Sequence, residues 1–112
     1  SGNTGLYTMT LANSPKNYKF TFTQDDSDGA TKYMNFTGSY YKLYSRDKDG
    51  KDIYIDATYS DNMNTIMGEL EFYIPQTMIK RLKAVPVENR FMDIVVVNQD
   101  NTISTLYEFT YS

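Results

Sequence analysis

Apolar and polar side chains alternate along this chain in short stretches that are separated by turn-forming residues. A period of two predicts a half-buried strand, because successive side chains of a strand point to opposite faces. In the last such stretch, Ile103 and Phe109 are expected on the same face. The predicted strands cover residues 7–12, 18–23, 38–46, 51–59, 68–74, 91–97 and 102–111.

One stretch departs from this alternation. Residues 75–83 begin with Pro75, which suits the first turn of a helix, and they place Met78, Ile79 and Leu82 on one stripe. The sequence therefore predicts one short helix among about seven strands, which indicates an all-β protein built as an antiparallel sandwich. The length of 112 residues and the content of 40% apolar residues fit a single domain over residues 1–112.

The missing residue types restrict the function further. The chain has no histidine and no cysteine, so the commonest general base, thiolate nucleophiles, and the thiolate and imidazole ligands of transition metals are absent. We therefore expect no enzyme activity and no cofactor, and we assign no residue as a metal ligand. A net charge of -3 without a basic stripe argues against nucleic acid as a partner. No apolar run approaches the ~20 residues that cross a bilayer. We therefore expect no membrane partner and a soluble domain, and we assign it no cellular compartment.

Tyrosines are concentrated in the predicted hairpin at residues 40–59. Tyr41 falls among the inward positions, whereas outward positions of this hairpin and of the next strand carry the candidate interface residues Tyr40, Tyr44, Tyr54, Tyr59 and Tyr73. Three interpretations are open. Tyrosine favours strands, and cross-strand pairs cover a sheet without any ligand. Exposed rings also anchor protein partners, and they stack on sugar rings.

Two acidic turns, at residues 25–29 and 47–50, supply oxygen atoms that suit calcium. The spacing that follows Asp47 is not that of an EF-hand. Asp and Gly are also the residues that turns prefer for their backbone conformations. An irregular calcium site and a purely structural role for these turns are both open interpretations.

Three other carboxylates stand out within the predicted strands. Glu69 and Glu71 share one strand face, as the acids of a small carboxylate-based hydrolase would, although an exposed pair is ordinarily solvated. Asp93 interrupts an apolar strand. We expect it on the solvated face, or beside Arg90 or a lysine, rather than acting as a base.

The order of features resembles a known family. The stretches "YKFTF", "MNFTGSYYKLYSRDKDGK", "GELEFYIPQTMIKRL", "FMDIVVVNQDNTIST" and "YEFTY" are similar to the N-terminal immunoglobulin-like domain of phage upper baseplate and tail-adaptor proteins. The similarity covers about residues 18 to 111. One departure is the segment 88–90, which stands where that family has a glycine before the "FMDIVVV" strand.

This resemblance implies an immunoglobulin-like β-sandwich that is a non-catalytic structural or adaptor domain of a bacteriophage virion, in its tail, baseplate or capsid. It implies a location in the virion, other virion structural proteins as partners, and a homo-oligomer within the assembly. The alternative is a carbohydrate-binding module in which the exposed tyrosines form a stacking platform.

Overall fold

The protein is built almost entirely from strands. A computed structural model describes residues 4–36, 38–58 and 66–112. Within those ranges the elements are β1 (Thr4–Met9), β2 (Lys16–Thr21), β3 (Thr23–Asp25), β4 (Thr31–Tyr33), β5 (Tyr40–Arg46), β6 (Asp52–Thr58), β7 (Glu69–Ile74), α1 (Gln76–Lys83), a 3₁₀ turn (Val87–Asn89), β8 (Met92–Val97) and β9 (Ile103–Tyr111).

Seven of these strands form one curled sheet in the order β1-β9-β8-β5-β6-β7-β2. β1 and β9 are parallel, and the other neighbours are antiparallel. The bend is at β6, which pairs with β5 along most of its length but with β7 only at Ala57 and Thr58. The rings of Phe20 in β2 and Phe109 in β9 consequently lie 5.4 Å apart between centroids, although their strands are distant in the sheet order.

The core lies inside this curl. It contains the inward members of each alternating strand, as the period of two predicts. Tyr41 is one of them, and its ring packs against Phe36 with the centroids 4.8 Å apart. The most completely buried side chains are Phe72, Ile74, Leu82, Met92 and Ile94. Burial of such side chains stabilises a fold by ~1.5–3 kcal/mol each, so this layer supplies most of the favourable free energy.

The end of α1 is held by two side chains from outside the helix. The hydroxyl of Tyr111 donates a hydrogen bond to the carbonyl of Leu82 at 2.6 Å. The guanidinium of Arg90 donates to the carbonyls of Lys83 and Val85, both at 2.9 Å. The last carbonyls of a helix have no partner within it. Tyr111 and Arg90 therefore satisfy this end of α1 and tie it to the last strands of the sheet.

The turn between β5 and β6 is organised by one carboxylate. Oδ1 of Asp47 accepts the backbone N–H groups of Asp49 and Lys51, both at 2.9 Å, and Oδ2 accepts Arg81 at 2.8 Å. These donors, Arg81 first, hold the pKa of Asp47 below its usual value. Gly50 closes the turn at a φ of 78°, a left-handed conformation that favours glycine. This turn fixes the register of the hairpin that carries Tyr44 and Tyr54.

The prediction of an all-β protein with a short helix is confirmed, with strand bounds shifted by a few residues. The β3–β4 hairpin was not predicted. The stretch 18–23 is broken at Phe22, which donates its N–H to the carbonyl of Gly68 at 2.9 Å and accepts the N–H of Met34 at 3.1 Å. The run continues as β3 on the other side of this break, paired with β4.

The prediction that Ile103 and Phe109 share a face is wrong. An irregularity between Ile94 and Val95 in the pairing of β8 with β9 shifts the register. Ile103 is left 51% exposed, while Phe109 stays in the core. One extra residue in a strand reverses the faces of the side chains on its two sides relative to each other, so Ile103 lies on the outer surface while Phe109 points inward.

Candidate functional site

The hairpin tyrosines lie on the outer surface of the sheet. In β5, Leu43 and Ser45 are buried, so Tyr40 and Tyr44 point outward; Tyr54 does so on β6. Outward positions on β8 and β9 follow from the strand register. We call this surface the tyrosine face. It comprises Tyr40, Lys42, Tyr44, Arg46, Asp52, Tyr54, Asp56, Phe91, Asp93, Val95, Val97, Ile103 and Glu108.

Tyr44 is the centre of an aromatic cluster on this face. Tyr54 is its direct cross-strand partner, with the ring centroids 5.0 Å apart and the planes inclined by 35°. The ring of Phe91 lies 5.9 Å away on another side. Tyr44 is half-buried by these neighbours, whereas Tyr54 keeps 42% of its surface exposed. The cluster is therefore held in place before any partner arrives.

A polar network fixes the hydroxyl end of Tyr44. The hydroxyl donates to Oδ1 of Asp52 at 2.8 Å and accepts Nε of Arg46 at 2.8 Å. Arg46 and Asp52 also form an ion pair at 3.4 Å. Burial first, and then the hydrogen bond to Asp52, raise the pKa of Tyr44, so the phenol is neutral at physiological pH. These contacts tie Arg46 to the face, although its side chain remains solvated.

An acidic pair lies beside this cluster. Asp93 of β8 is the register neighbour of Tyr44 on one side and of Glu108 in β9 on the other. Asp93 is half-buried, and Glu108 is exposed. Burial, and secondarily the charge of Glu108, raise the pKa of Asp93 above its usual value. Asp93 thus lies on the outer face as expected, but Arg90 is not its partner, because Arg90 bonds the carbonyls that follow α1.

The far end of the tyrosine face is apolar. Tyr40 is paired with Val97, and Val97 is paired with Ile103, so these three side chains form a row across β5, β8 and β9. Tyr40 is 73% exposed, the largest value among the exposed large apolar side chains of β5 to β9. Ile103 was not predicted here, because only the register shift in β9 brings it to this row. The row is a hydrophobic edge to a face that is otherwise mixed.

The other predicted interface tyrosines are not part of this cluster. Tyr59 lies outside the described residues. Tyr73 is exposed on β7, but its register partner is Asn17 of β2, beyond the bend of the sheet. The structure thus brings Tyr40, Tyr44 and Tyr54 together on neighbouring strands and gives Tyr73 a position in the other layer.

A second feature is an open groove of about 770 Å³ between β2 and β9. Among the described strands, β2 is the last in the sheet order, and the pairing of β1 with β9 begins at Glu108, so strand edges border this groove. Sequence reasoning missed it, because alternation assigns these rings to the core and carries no signal for a gap between layers. Its apolar lining is Tyr7, Phe20, Phe22, Met34, Leu106 and Tyr107.

The paired glutamates of β7 do not line this groove. Glu69 forms an ion pair with Lys19 at 3.7 Å, and Glu71 is the register partner of the same lysine. Both glutamates are charges on a strand surface, and the ammonium group of Lys19 lies beside them on the paired strand β2. The described residues contain no group of three acids that is suited to a metal ion. The carboxylate of Asp47 is already engaged by its own turn and by Arg81.

The chain was compared with protein-family models and with curated proteins. No protein-family model matches the chain, and no curated protein matches it. None of the helical residues in the described ranges belongs to a helix long and apolar enough to cross a bilayer. We infer a function from the tyrosine face.

Proposed function

We propose that this protein is a non-catalytic assembly domain of a bacteriophage virion that binds other structural proteins through the tyrosine face. The observation that carries the proposal is the prearranged cluster of Tyr44, Tyr54 and Phe91 beside the exposed row that begins at Tyr40. Tyrosine and arginine are enriched where proteins bind proteins. Rings that are already ordered lose little conformational entropy when a partner covers them.

The strand order supports an immunoglobulin-like sandwich for this domain. In such folds the second strand pairs with the fifth, and the third, sixth and seventh form the opposite sheet. With the small β3–β4 hairpin set aside, the pairs β2–β7, β5–β8 and β8–β9 correspond to those contacts. Two departures are the pairing of β1 with β9 and the role of β6, which joins both layers into one curled sheet.

The surface chemistry supports binding over catalysis. Without histidine or cysteine, acid–base catalysis would fall to carboxylates, lysines or tyrosines, which need an enclosed site that shifts their pKa values. Asp93 and Glu108 lie on an open face, and Glu69 and Glu71 lie outside the groove. A virion location and binding to copies of itself or to other virion proteins follow from this proposal together with the resemblance to tail-adaptor domains.

The experiment is size-exclusion chromatography with light scattering on the domain, alone and with purified phage tail, baseplate and capsid proteins. We expect a stable oligomer or a co-eluting complex that Tyr40→Ser and Tyr44→Ser both weaken. Tyr33→Ser is the matched control, since Tyr33 is 53% exposed but lies in the separate β3–β4 hairpin. A monomer that binds none of the virion proteins, or a complex that only Tyr33→Ser disrupts, would overturn the proposal.

A carbohydrate-binding module is the second candidate. Its support is the exposed ring of Tyr54, which lies on the same outer side of β6 as the carboxylates of Asp52 and Asp56. Such rings stack on sugars, and carboxylates accept hydrogen bonds from sugar hydroxyls. A glycan array and a tyrosine-fluorescence titration with cell-wall sugars test this function. Absence of any response across the panel rejects it.

A further inference from the structure

The acidic pair on the tyrosine face, Asp93 and Glu108, has no cationic partner among the described residues. Asp93 and Glu108 are directly opposed in the register of β8 and β9, an arrangement in which like charges destabilise a sheet. Neither forms an ion pair with any described residue. Arg90, which is close to Asp93 in sequence, donates instead to backbone carbonyls. The ionised pair is therefore unfavourable in the isolated domain.

The cations that the face does contain are engaged elsewhere on it. Lys42 pairs with Asp56 at 2.5 Å. Arg46 is bonded to the hydroxyl of Tyr44 and paired with Asp52. The basic side chains of β5 therefore neutralise the acids of β6, and the acids on the β8 and β9 side are left over. The tyrosine face as a whole has a neutral half and a negative half.

The surroundings of the acidic pair favour a planar cation. Tyr44 is the register neighbour of Asp93, and the ring of Phe91 lies against Tyr44. A guanidinium group bonds carboxylates through its fork of N–H groups and also stacks on aromatic rings. An ammonium group makes the same charge contact without the stacking. Arginine is thus the best match to this position, and lysine is second.

The apolar row defines a second contact. Val97 follows Asp93 by four residues along β8, a separation of roughly 13 Å at ~3.3 Å per residue. Tyr40 and Ile103 flank Val97 in that row. A partner that covers the whole face therefore meets a negative site at one position and a hydrophobic site about four strand residues away. A row of exposed apolar side chains beside a charged rim is typical of protein interfaces.

We propose that the tyrosine face binds a protein partner that presents an arginine or lysine to Asp93 and Glu108 and apolar side chains to Tyr40, Val97 and Ile103. This inference rests on the proposed function, because it assigns the partner chemistry of the same surface. The partner's cation supplies the charge that the described residues do not place beside Asp93 and Glu108, and its apolar residues remove the exposed row from water.

The test is selection of short random peptides displayed on a surface against the intact domain, followed by affinity measurements on the enriched peptides. We expect enrichment of arginine or lysine next to apolar residues, and binding that weakens as salt is added. The double variant Asp93→Asn with Glu108→Gln should weaken binding about tenfold or more. The matched control, Glu69→Gln with Glu71→Gln, changes the same charge on β7 and should leave the affinity within about twofold.

Each result bears on one of the two proposals. Peptides that lack a basic residue, or that bind the acid-pair variant as tightly as the natural protein, overturn the inference. If Tyr40→Ser still weakens the binding of those peptides, the assembly function stands. The binding site of a peptide is located by the changes that it causes in the backbone amide NMR shifts of the domain. Peptides that shift Phe20 and Leu106 in the groove, rather than the tyrosine face, overturn the assembly function of that face. A selection that yields no peptide bound to this face counts against both.

Discussion

Two tyrosines in this domain have nearly opposite surroundings. Tyr111 is 2% exposed, and its hydroxyl donates to the carbonyl of Leu82. Arg90 lies over its ring at 5.5 Å, and burial raises its pKa to about 12. Tyr44 is half-buried on the outer face, where its hydroxyl lies between two charged side chains. The first environment completes the fold, and the second leaves a surface that a partner can complete.

The difference is clearest in how charge is handled. Near Tyr111, the guanidinium of Arg90 bonds two carbonyls and one ring, so its polar groups serve the end of α1. Near Tyr44, Asp93 faces Glu108 with no cation from the described residues. A fold satisfies its buried polar groups, whereas functional surfaces depart from local rules. The acidic pair is therefore a second feature, besides the aromatic cluster, that supports the proposed interface.

Removing the two rings gives the largest expected contrast. Tyr111→Ala should lower the free energy of unfolding by ~3–5 kcal/mol, because it empties a buried site and releases the end of α1. Tyr44→Ala should cost only about 1 kcal/mol, since its ring contacts lie on a solvated face. Chemical denaturation followed by far-UV circular dichroism measures both. Equal losses would contradict the assignment of Tyr44 to a surface role.

Removing only the hydroxyl groups isolates the hydrogen bonds. Tyr111→Phe removes the short hydrogen bond to the carbonyl of Leu82, which keeps only the longer bond from the N–H of Val85 at 3.3 Å, and should cost ~1–2 kcal/mol. Tyr44→Phe removes a hydroxyl whose charged partners are solvated and should cost less than ~0.5 kcal/mol. The same denaturation experiment compares them. A larger loss for Tyr44→Phe than for Tyr111→Phe would reverse the comparison.

Neutralising the acid pair should stabilise the isolated domain. Asp93→Asn removes a like-charge contact and is expected to raise the free energy of unfolding by ~0.2–1 kcal/mol near neutral pH. Glu69→Gln is the control, because Glu69 is paired with Lys19 and should give no gain. A loss of stability in Asp93→Asn would mean that the carboxylate has a favourable partner.

The gain from Asp93→Asn should depend on pH in a defined sense. The pKa of Asp93 is raised in the folded protein above its ordinary value of 3.8, so the folded state binds the proton more tightly than the unfolded state. Its unfavourable contribution is fully present above the raised pKa and disappears as the pH falls below the ordinary value. Denaturation curves of both proteins over this acidic range should converge at the lowest pH.

The smallest effect on stability is expected at Tyr40. Because its side chain is 73% exposed, Tyr40→Ser should change the free energy of unfolding by no more than ~0.5 kcal/mol. The same variant should nevertheless weaken partner binding, which separates a binding role from a folding role. Thermal denaturation checks the first expectation, with Tyr33→Ser as the matched exposed control. A marked drop in the melting temperature would show that Tyr40 contributes to the fold.

Local patterns were sufficient for most of the fold. The period of two identified the strands of the main sheet, and Pro75 with its apolar stripe identified α1. The β3–β4 hairpin was missed because Thr23–Asp25 and Thr31–Tyr33 contain no apolar alternation. The register shift in β9 was missed because apolar residues occur on both sides of it, so an extra residue leaves no mark in the pattern.

The sequence predicts the candidate surface only where its residues are paired within one hairpin. The hairpin around residues 47–50 places Tyr44 opposite Tyr54, and a turn of known length fixes that register. The opposition of Asp93 and Glu108 depends on which strands become neighbours and on the shift within β9. Such long-range pairing is set by the packing of the whole sheet, and alternation within one strand carries no information about it.

The parallel pairing of β1 and β9 has a mechanical consequence. Thr4 lies beside Glu108, and Met9 lies beside Tyr111, so the two strands run side by side in the same direction. A force that draws the start of β1 away from the end of β9 slides these strands past each other. Their hydrogen bonds are then loaded together rather than opened one after another. Under such a force, β1 and β9 are therefore expected to resist as a sheared pair of strands, whose hydrogen bonds must break together.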